Sequence, residues 1–547
     1  MTRLYFKVTF IVCLAQVLAG TTNDVVMMKA GQTMEVKLAA NSNYQFILGN
    51  ITDGRDIVAV FQIHTQYQNI SASLTALPTT DTAMNASDIG LITELDYLQI
   101  VAFWLVNSTH NNTVSAQATA LLYKDNDPIP GACNFEFNLI NDANIHLHYN
   151  IYETFIQFQP ANIGWTRRAA QSTCDSSLSP RLRLVYEIYL YFLPEHNLEE
   201  SRLFHGLQKM TTVDEIEKHG TSIATLDSHS LTSFTVSSFH GQGVIYNVIV
   251  RDPYEGTSAA YIPASSYACN FTDKVDGCHS SNSPTSLVAV TIFGVLGLFI
   301  CFAGHRYFKT ELFVFGFLIT ALVFFIIFGA ATELTYLVHL IVSGVFGLVG
   351  GTLLVLYWWR FGSVVWCVVF VGFLLGYLIA ATLFFTPFGD LKPWQNNVDY
   401  GLCFACFVLL VPVLLIYFTK QLNIIACAVI GSYLCVIAIS SYLYTSLAYI
   451  VLNPLKRILL EDYDQAYTQV PFQRNDYILV GVWIAMTLSG LVVQFYRERG
   501  RGFPPCPYKE FKRKRNEPSV EKEILDRHLQ QNSFGEDDER RPLLQTA

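Results

Sequence analysis

Seven apolar stretches dominate the chain from about residue 286 onward: about 286–304, 311–330, 334–358, 361–385, 400–418, 422–446 and 477–496. Each is close to the ~20 residues an α-helix needs to cross the hydrocarbon of a bilayer. Lipid offers no hydrogen bonds to a backbone, so these stretches are expected as helices and not as open strands. Charge is correspondingly scarce, at 14% of 547 residues, where soluble domains average about 25%. This half predicts a seven-helix transmembrane domain over 286–496.

The first half is different chemistry. Arg3 and Lys7 precede a short apolar run, Val8 to Val17, and then small residues at Ala19 and Gly20. These are the parts of a secretory signal, so 1–20 is expected to be cleaved. All six Asn-x-Ser/Thr sequons of the chain, at Asn50, Asn69, Asn85, Asn107, Asn111 and Asn270, follow it and precede the first apolar stretch. Their clustering places 21–285 in the lumen or outside the cell, with glycans expected on these asparagines.

Orientation follows. With the first helix entering from outside, His305, Arg306 and Lys309 fall in the cytosol, as do Arg360 and Lys420. On the opposite side Lys392 faces Asp390 and Asp399, and Lys456, Arg457 and Arg474 share a loop with Glu461, Asp462, Asp464 and Asp476. The basic excess is cytosolic, as the positive-inside rule requires. Seven crossings then leave 497–547 as a disordered cytosolic tail. Its first part, 497–515, has eight Lys/Arg against Glu498 and Glu510, a charge that attracts anionic lipid or merely stops transfer. Near its end "ERRPLL" presents Glu539, Leu543 and Leu544 in the acidic-dileucine pattern that clathrin adaptors read. The location expected is the cell membrane and the membranes of the secretory and endolysosomal route.

Residues 21–285 alternate like strands. In "RLRLVYEIYLYF" (181–192) Leu184, Tyr186, Ile188 and Leu190 share one face, "GVIYNVIV" (243–250) is nearly continuous, and 144–159 has the same character. One helix is expected over about 197–219, after Pro194 and Asn197. A faint repeat, strand, Asp-Pro, Ala-Cys-Asn-Phe, recurs at 123–137 and 250–271. The expectation is an all-β region of two sandwiches, 21–130 and 131–285. Cys133, Cys174, Cys269 and Cys278 lie in an oxidising compartment, where four cysteines allow three pairings. Proximity favours Cys133–Cys174 and Cys269–Cys278. Scattered without metal-ligand spacing, they argue against a metal.

The apolar half shows little reactive chemistry. Glu311 and Glu333 sit at helix ends, leaving His339 as the one ionisable side chain well inside a stretch. No proton relay, charged ring or paired broken helices suggests a transporter or channel. No hydrolase motif or P-loop occurs, so no catalytic, cofactor or metal residue is assigned. Cys403 and Cys406 form a CxxC, but within an apolar stretch. A rhodopsin-type receptor is disfavoured, because the third stretch ends "WWRFG" (358–362) and the seventh has no proline. Small residues four apart, Ser343/Gly347/Gly351, Gly372/Gly376 and Gly481/Ala485/Ser489, supply packing faces for neighbouring helices or for a dimer. Between the last two stretches, Leu455, Ile458, Leu459 and Tyr463 predict a short interfacial helix within 453–476.

Landmarks along 45–509 resemble the seven-transmembrane superfamily member 3 family. They include "HTQYQN" (64–69), "GACNFEF" (131–137), "GQGVIYNVIV" (241–250), "TSAAYIPASSYAC" (257–269), "GHRYFKTELF" (304–313), "WWRFG", "VPFQRND" (470–476) and "PPCPYK" (504–509). The resemblance implies a multi-span glycoprotein linked to cell survival and to damping of endoplasmic-reticulum stress. Its membrane half is also similar to the transmembrane protein 198 family, connected with Wnt signalling. Neither implies catalytic residues. The partners expected are membrane lipid, a lumenal protein or lipid ligand and, through the tail, clathrin adaptors; nucleic acid is not expected. A receptor signalling through its cytosolic loops and an adaptor-sorted cargo carrier are the competing functions.

Overall fold

The computed structural model describes residues 24–49, 51, 56–95, 101–124, 126–150, 153–163, 174, 183–194, 197–227, 232–272, 278, 284–331, 336–443, 445–459, 472–500, 502–503, 508 and 524–528. The signal segment, Asn50, Glu333, Tyr463, Glu539, Leu543 and Leu544 lie outside them. The chain divides into two compact units, one built of strands before residue 284 and one of helices after it.

The strand unit begins with a sandwich. One sheet orders β1 (Asp24–Met28), β3 (Ser42–Leu48), β8 (Ala102–Ser108), β5 (Ile70–Ser73) and β6 (Ala83–Ala86). The other orders β2 (Met34–Leu38), β9 (Val114–Lys124), β4 (Asp56–His64) and β7 (Asp88–Glu94). The pleat sends Phe46 and Trp104 of the first sheet against Phe61 of the second, with Phe61 stacked on Trp104 at 4.9 Å. Ala59, Phe61 and Ile63 fill this core, yet Val58, Val60, Gln62 and His64, on the other side of β4, are buried as well. The second sheet is therefore covered on both faces.

A second sandwich covers it. Its sheets order β10 (Ile145–Tyr149), β11 (Glu153–Phe158), β14 (Ser233–Ser237), and β13 (Thr221–Asp227), β12 (Val185–Phe192), β15 (Val244–Asp252), β16 (Thr257–Ala260), with β17 (Ala264–Ser266) on β15. Phe158, Tyr186 and Tyr261 pack between them. The strand-like 144–159 run folds back at Asn150, whose side chain accepts the Glu153 N–H at 2.7 Å, an Asx-type turn.

The expected helix over 197–219 is two helices, α1 (Glu200–Lys209) and α2 (Val213–His219). The Leu207 carbonyl is taken by the Met210 N–H and, at 2.7 Å, by the Thr211 hydroxyl, while Thr212 is extended. A threonine hydroxyl competing for helical carbonyls breaks the ladder there. Both helices pack on the face of β12 and β15 that carries Tyr189, Ile245 and Ile249.

The two sandwiches join through polar contacts. Gln117 donates to the Phe204 carbonyl at 3.1 Å, and Tyr123 to that of Ala260 at 2.9 Å. Burial raises the Tyr123 phenol above its ordinary range, keeping it a donor. Asn144 pairs with both backbone groups of Gly90. A Cβ at Gly90 would overlap Ile262, so this close approach needs glycine.

Five apolar helical stretches in the other unit are long enough to cross a bilayer: Leu287–Gly329, Val338–Phe361, Val364–Phe385, Asn397–Leu443 and Arg474–Arg497. The first is α3 (Pro284–Ala303) and α4 (Phe308–Ala331), joined by a 3-10 turn at Gly304–Tyr307. Next come α5 (Tyr336–Phe361) and α6 (Val364–Phe385). The fourth is α7 (Asn397–Leu415) and α8 (Thr419–Leu443), joined by a turn at Ile416–Phe418. The fifth is α10 (Arg474–Arg497). The short helix expected within 453–476 is α9 (Tyr449–Leu459), starting earlier. It buries Ile450, Pro454, Leu455 and Lys456, while Ile458 of the expected face is exposed.

Candidate functional site

Close helix contact creates a polar site in the helical unit. α3 and α8 meet at Gly297 and Gly431, where a Cβ on either would come within 2.6 Å of the other's carbonyl oxygen. Without side chains the backbones can touch, which dispersion rewards in lipid. Gly490 of α10 sits equally close to Cys301. Polar residues at the neighbouring ends of these helices are thereby brought together.

At the centre is Asn423, on the first turn of α8. Its Nδ2 donates to Glu311 Oε2 at 3.0 Å and to His305 Nδ1 at 3.2 Å. Both amide hydrogens are used, so Nδ1 of His305 is an acceptor and its hydrogen rests on Nε2. Glu311 lies on the first turn of α4, where the helix dipole favours negative charge. Gln494 Nε2 donates to the Ile300 and Cys301 carbonyls at 3.2 and 2.7 Å, and its Oε1 accepts the His305 N–H at 3.4 Å. It thus satisfies carbonyls left open where α3 ends. The Cys427 thiol lies beside the Glu311 carboxyl. Glu311 and Asn423 are 0% exposed, His305 1% and Gln494 2%. Phe503, past the end of α10, packs its ring against His305 and Phe308.

Three buried atoms here have no hydrogen-bond partner: Glu311 Oε1, Asn423 Oδ1 and His305 Nε2. Most buried polar atoms are paired, because an unpaired one costs about 1–3 kcal/mol and a charged one more. The sequence reading counted only ionisable groups and so did not find this amide-centred cluster. Glu311 is at a helix end, as expected, but wholly enclosed. The pointer was available: Asn423 and Gln494 stand within otherwise apolar segments, where polar side chains are expensive and usually functional.

At the other end of α8 and α10 a second carboxylate is buried. Asp476 Oδ1 accepts from the Ser446 N–H at 2.8 Å and its hydroxyl at 2.7 Å, and Thr445 donates to Ser440 at 2.8 Å. His339 is 7% exposed, and its backbone carbonyl accepts from the Ser343 hydroxyl one turn on in α5.

The remaining sequence-derived residues separate into groups. Asn69, Asn85, Asn107, Asn111 and Asn270 are all exposed. Asn85 and Asn107 share a row on the outer face of the first sheet, each opposite Ser71. Cys133 is bonded to Cys174 and Cys269 to Cys278. Gly347 and Gly351 pack on Phe317 and Phe313 of α4, and Gly372 and Gly376 on Pro412 and Val408 of α7. Gly481, Ala485 and Ser489 instead face outward. A Cβ at Gly481 would meet nothing within 4 Å, and Gly490 makes the close contact of α10. Cys403 is half-buried and Cys406 exposed, both free thiols.

Two β sandwiches followed by apolar helices of this length define a multi-pass membrane protein. Family models agree segment by segment: "TM7SF3-like, N-terminal immunoglobulin-like domain" over 24–123, "TM7SF3-like, second immunoglobulin-like domain" over 128–272, and "TM7S3/TM198-like domain" over 290–495. Transmembrane 7 superfamily member 3 of Mus musculus is 43% identical over 92% of this chain and 89% of its own length, and that of Homo sapiens 42% over 92% and 88%. The Rattus norvegicus protein of that name is 45% identical over 83% and 81%. The chain belongs to the transmembrane 7 superfamily member 3 family.

Proposed function

We propose that this protein is a seven-crossing glycoprotein that, without catalysing a reaction, supports cell survival by damping endoplasmic-reticulum stress. Its immunoglobulin-like modules face the lumen or cell exterior and its tail faces the cytosol. The observation that carries the topology is the placement of the sequons: every described one is exposed, and all precede the first apolar helix. The crossing count rests on length. Stretches of 43 and 47 residues would span about 65–70 Å as single helices, twice the hydrocarbon thickness. Each has a turn near its middle, so each crosses twice, giving seven. A lumenal protein or lipid is the ligand of the modules, the basic stretch after α10 meets anionic lipid, and Glu539, Leu543 and Leu544 engage clathrin adaptors.

Deleting the gene should raise unfolded-protein-response markers in tunicamycin-treated cells, and re-expression should restore them; unchanged markers would remove the stress role. Glycosidase digestion should shift the protein's mass, and stepwise Asn→Gln replacement should remove the shift. An antibody to the C-terminus that stains intact cells would overturn the topology. Leu543→Ala with Leu544→Ala should increase the surface population.

A further inference from the structure

The geometry points to a buried binding site for a small monovalent cation, Na⁺, taken by the unpartnered oxygens Glu311 Oε1 and Asn423 Oδ1 beside His305. Asn423 spends both amide hydrogens on Glu311 Oε2 and His305 Nδ1, which fixes its orientation and leaves its carbonyl oxygen unpartnered. The second carboxyl oxygen of Glu311 is unpartnered too. Two buried oxygens, one of them on a carboxyl group, belong to side chains joined by a single hydrogen bond. What they lack is positive charge.

The neighbouring groups do not supply it. From the turn before α4 comes His305, with Nδ1 already accepting; from α3, Cys301; from α8, Cys427 and Lys420; from the end of α10, Glu498. Lys420 Nζ donates to the Glu498 carbonyl at 2.7 Å. No described ion pair includes Glu311, and a lone buried carboxylate is too costly to remain uncompensated, so Glu311 takes either a proton or a cation. The donor set selects the cation's class. Oxygen ligands suit hard ions, and a single carboxylate is too little for calcium, which takes six to eight oxygens. Among the described residues no three His, Cys, Asp or Glu side chains gather as a metal site. His305 Nε2–H, the third unpartnered atom, is a donor suited to a water carried by the ion. Phe308 and Trp358 stack edge to face beside the site, and with Phe503 they restrict it to a small guest.

The test uses the full-length protein in lipid nanodiscs, with thermal unfolding followed by tryptophan fluorescence. Replacing choline chloride by sodium chloride at constant ionic strength should raise the midpoint by several degrees and saturate, since a ligand of the folded state stabilises by mass action. Glu311→Gln and Asn423→Leu should abolish that rise. If sodium has no effect but acidification raises the wild-type midpoint and not that of Glu311→Gln, Glu311 is only a protonated carboxyl group and the cation site is overturned. Absence of the sodium response in the wild type, or its persistence in Glu311→Gln, overturns the site. Should the variants fail to fold, infrared difference spectra of the wild type decide: a carboxyl carbonyl band that disappears on adding sodium at constant pH supports the site, and a spectrum that sodium leaves unchanged refutes it.

Discussion

Asp476 and Glu311 are buried carboxyl groups at opposite ends of the same helical unit, both on the first turn of a helix, and they are satisfied differently. Asp476 receives two hydrogen bonds on one oxygen, from the backbone and hydroxyl of Ser446. Its donors are local and come with the 3-10 turn at Ser446–Ala448. Glu311 receives one from Asn423, has the Cys427 thiol as a second, weaker donor, and keeps an oxygen unpartnered. Burial is the same, so burial does not separate a structural carboxylate from a binding one; the count of satisfied lone pairs does. Asp476 is a closed lock between α10 and the chain after α8. The cluster at Glu311 is open.

The largest effect should come from the lock. Asp476→Ala strands the Ser446 N–H and hydroxyl in a buried place, at about 1–3 kcal/mol for each unsatisfied donor. A loss of about 3 kcal/mol is expected, read as a large drop in the unfolding midpoint in nanodiscs. A variant as stable as the wild type would break the contrast from this side.

Next is the contact beneath the open cluster. Gly431→Ala places a methyl within 2.6 Å of the Gly297 carbonyl oxygen and 2.7 Å of Cys301 N. Backbone cannot yield as a side chain would, so α3 and α8 must separate, at about 1–3 kcal/mol. Asn423 and His305 move apart with them, and any sodium response should shrink in the same variant. Gln494→Leu follows at about 1–2 kcal/mol, because the Ile300 and Cys301 carbonyls and the His305 N–H lose a shared partner; the measurement is again the midpoint.

These sites differ in how far they could be seen in the sequence. The apolar stretches were legible because twenty apolar residues in a row have few other uses. So were the strand at 185–192, from its alternation, and the strand at 244–252, whose nearly continuous apolar character matches a strand buried on both faces. The disulfides followed from proximity, Cys269 lying nine residues from Cys278. The break after α1 was not legible, since it depends on which carbonyl Thr211 finds. The polar cluster was missed for a related reason. His305 with Glu311, Asn423 and Gln494 come from three separated segments and form no periodic pattern. The small-residue rule selected Gly481 on α10, yet Gly490 makes the contact. A four-residue spacing marks a smooth face without saying which face has a neighbour.

The smallest expected effect is the sharpest for the comparison. Carboxyl-to-amide replacement nearly preserves shape, so it isolates charge and proton count. At Asp476 the amide gives up charge assistance in two short bonds, worth about 1–2 kcal/mol. At Glu311 the amide oxygen can still accept from Asn423, and the uncompensated charge is gone. Removing a poorly compensated buried charge is often neutral or stabilising, so Glu311→Gln in sodium-free buffer should stay within about 1 kcal/mol of wild type, in either direction. Paired melts of Asp476→Asn and Glu311→Gln measure the difference directly. If the second variant falls as far as the first, Glu311 is a structural carboxylate like Asp476, and the distinction by satisfied lone pairs fails.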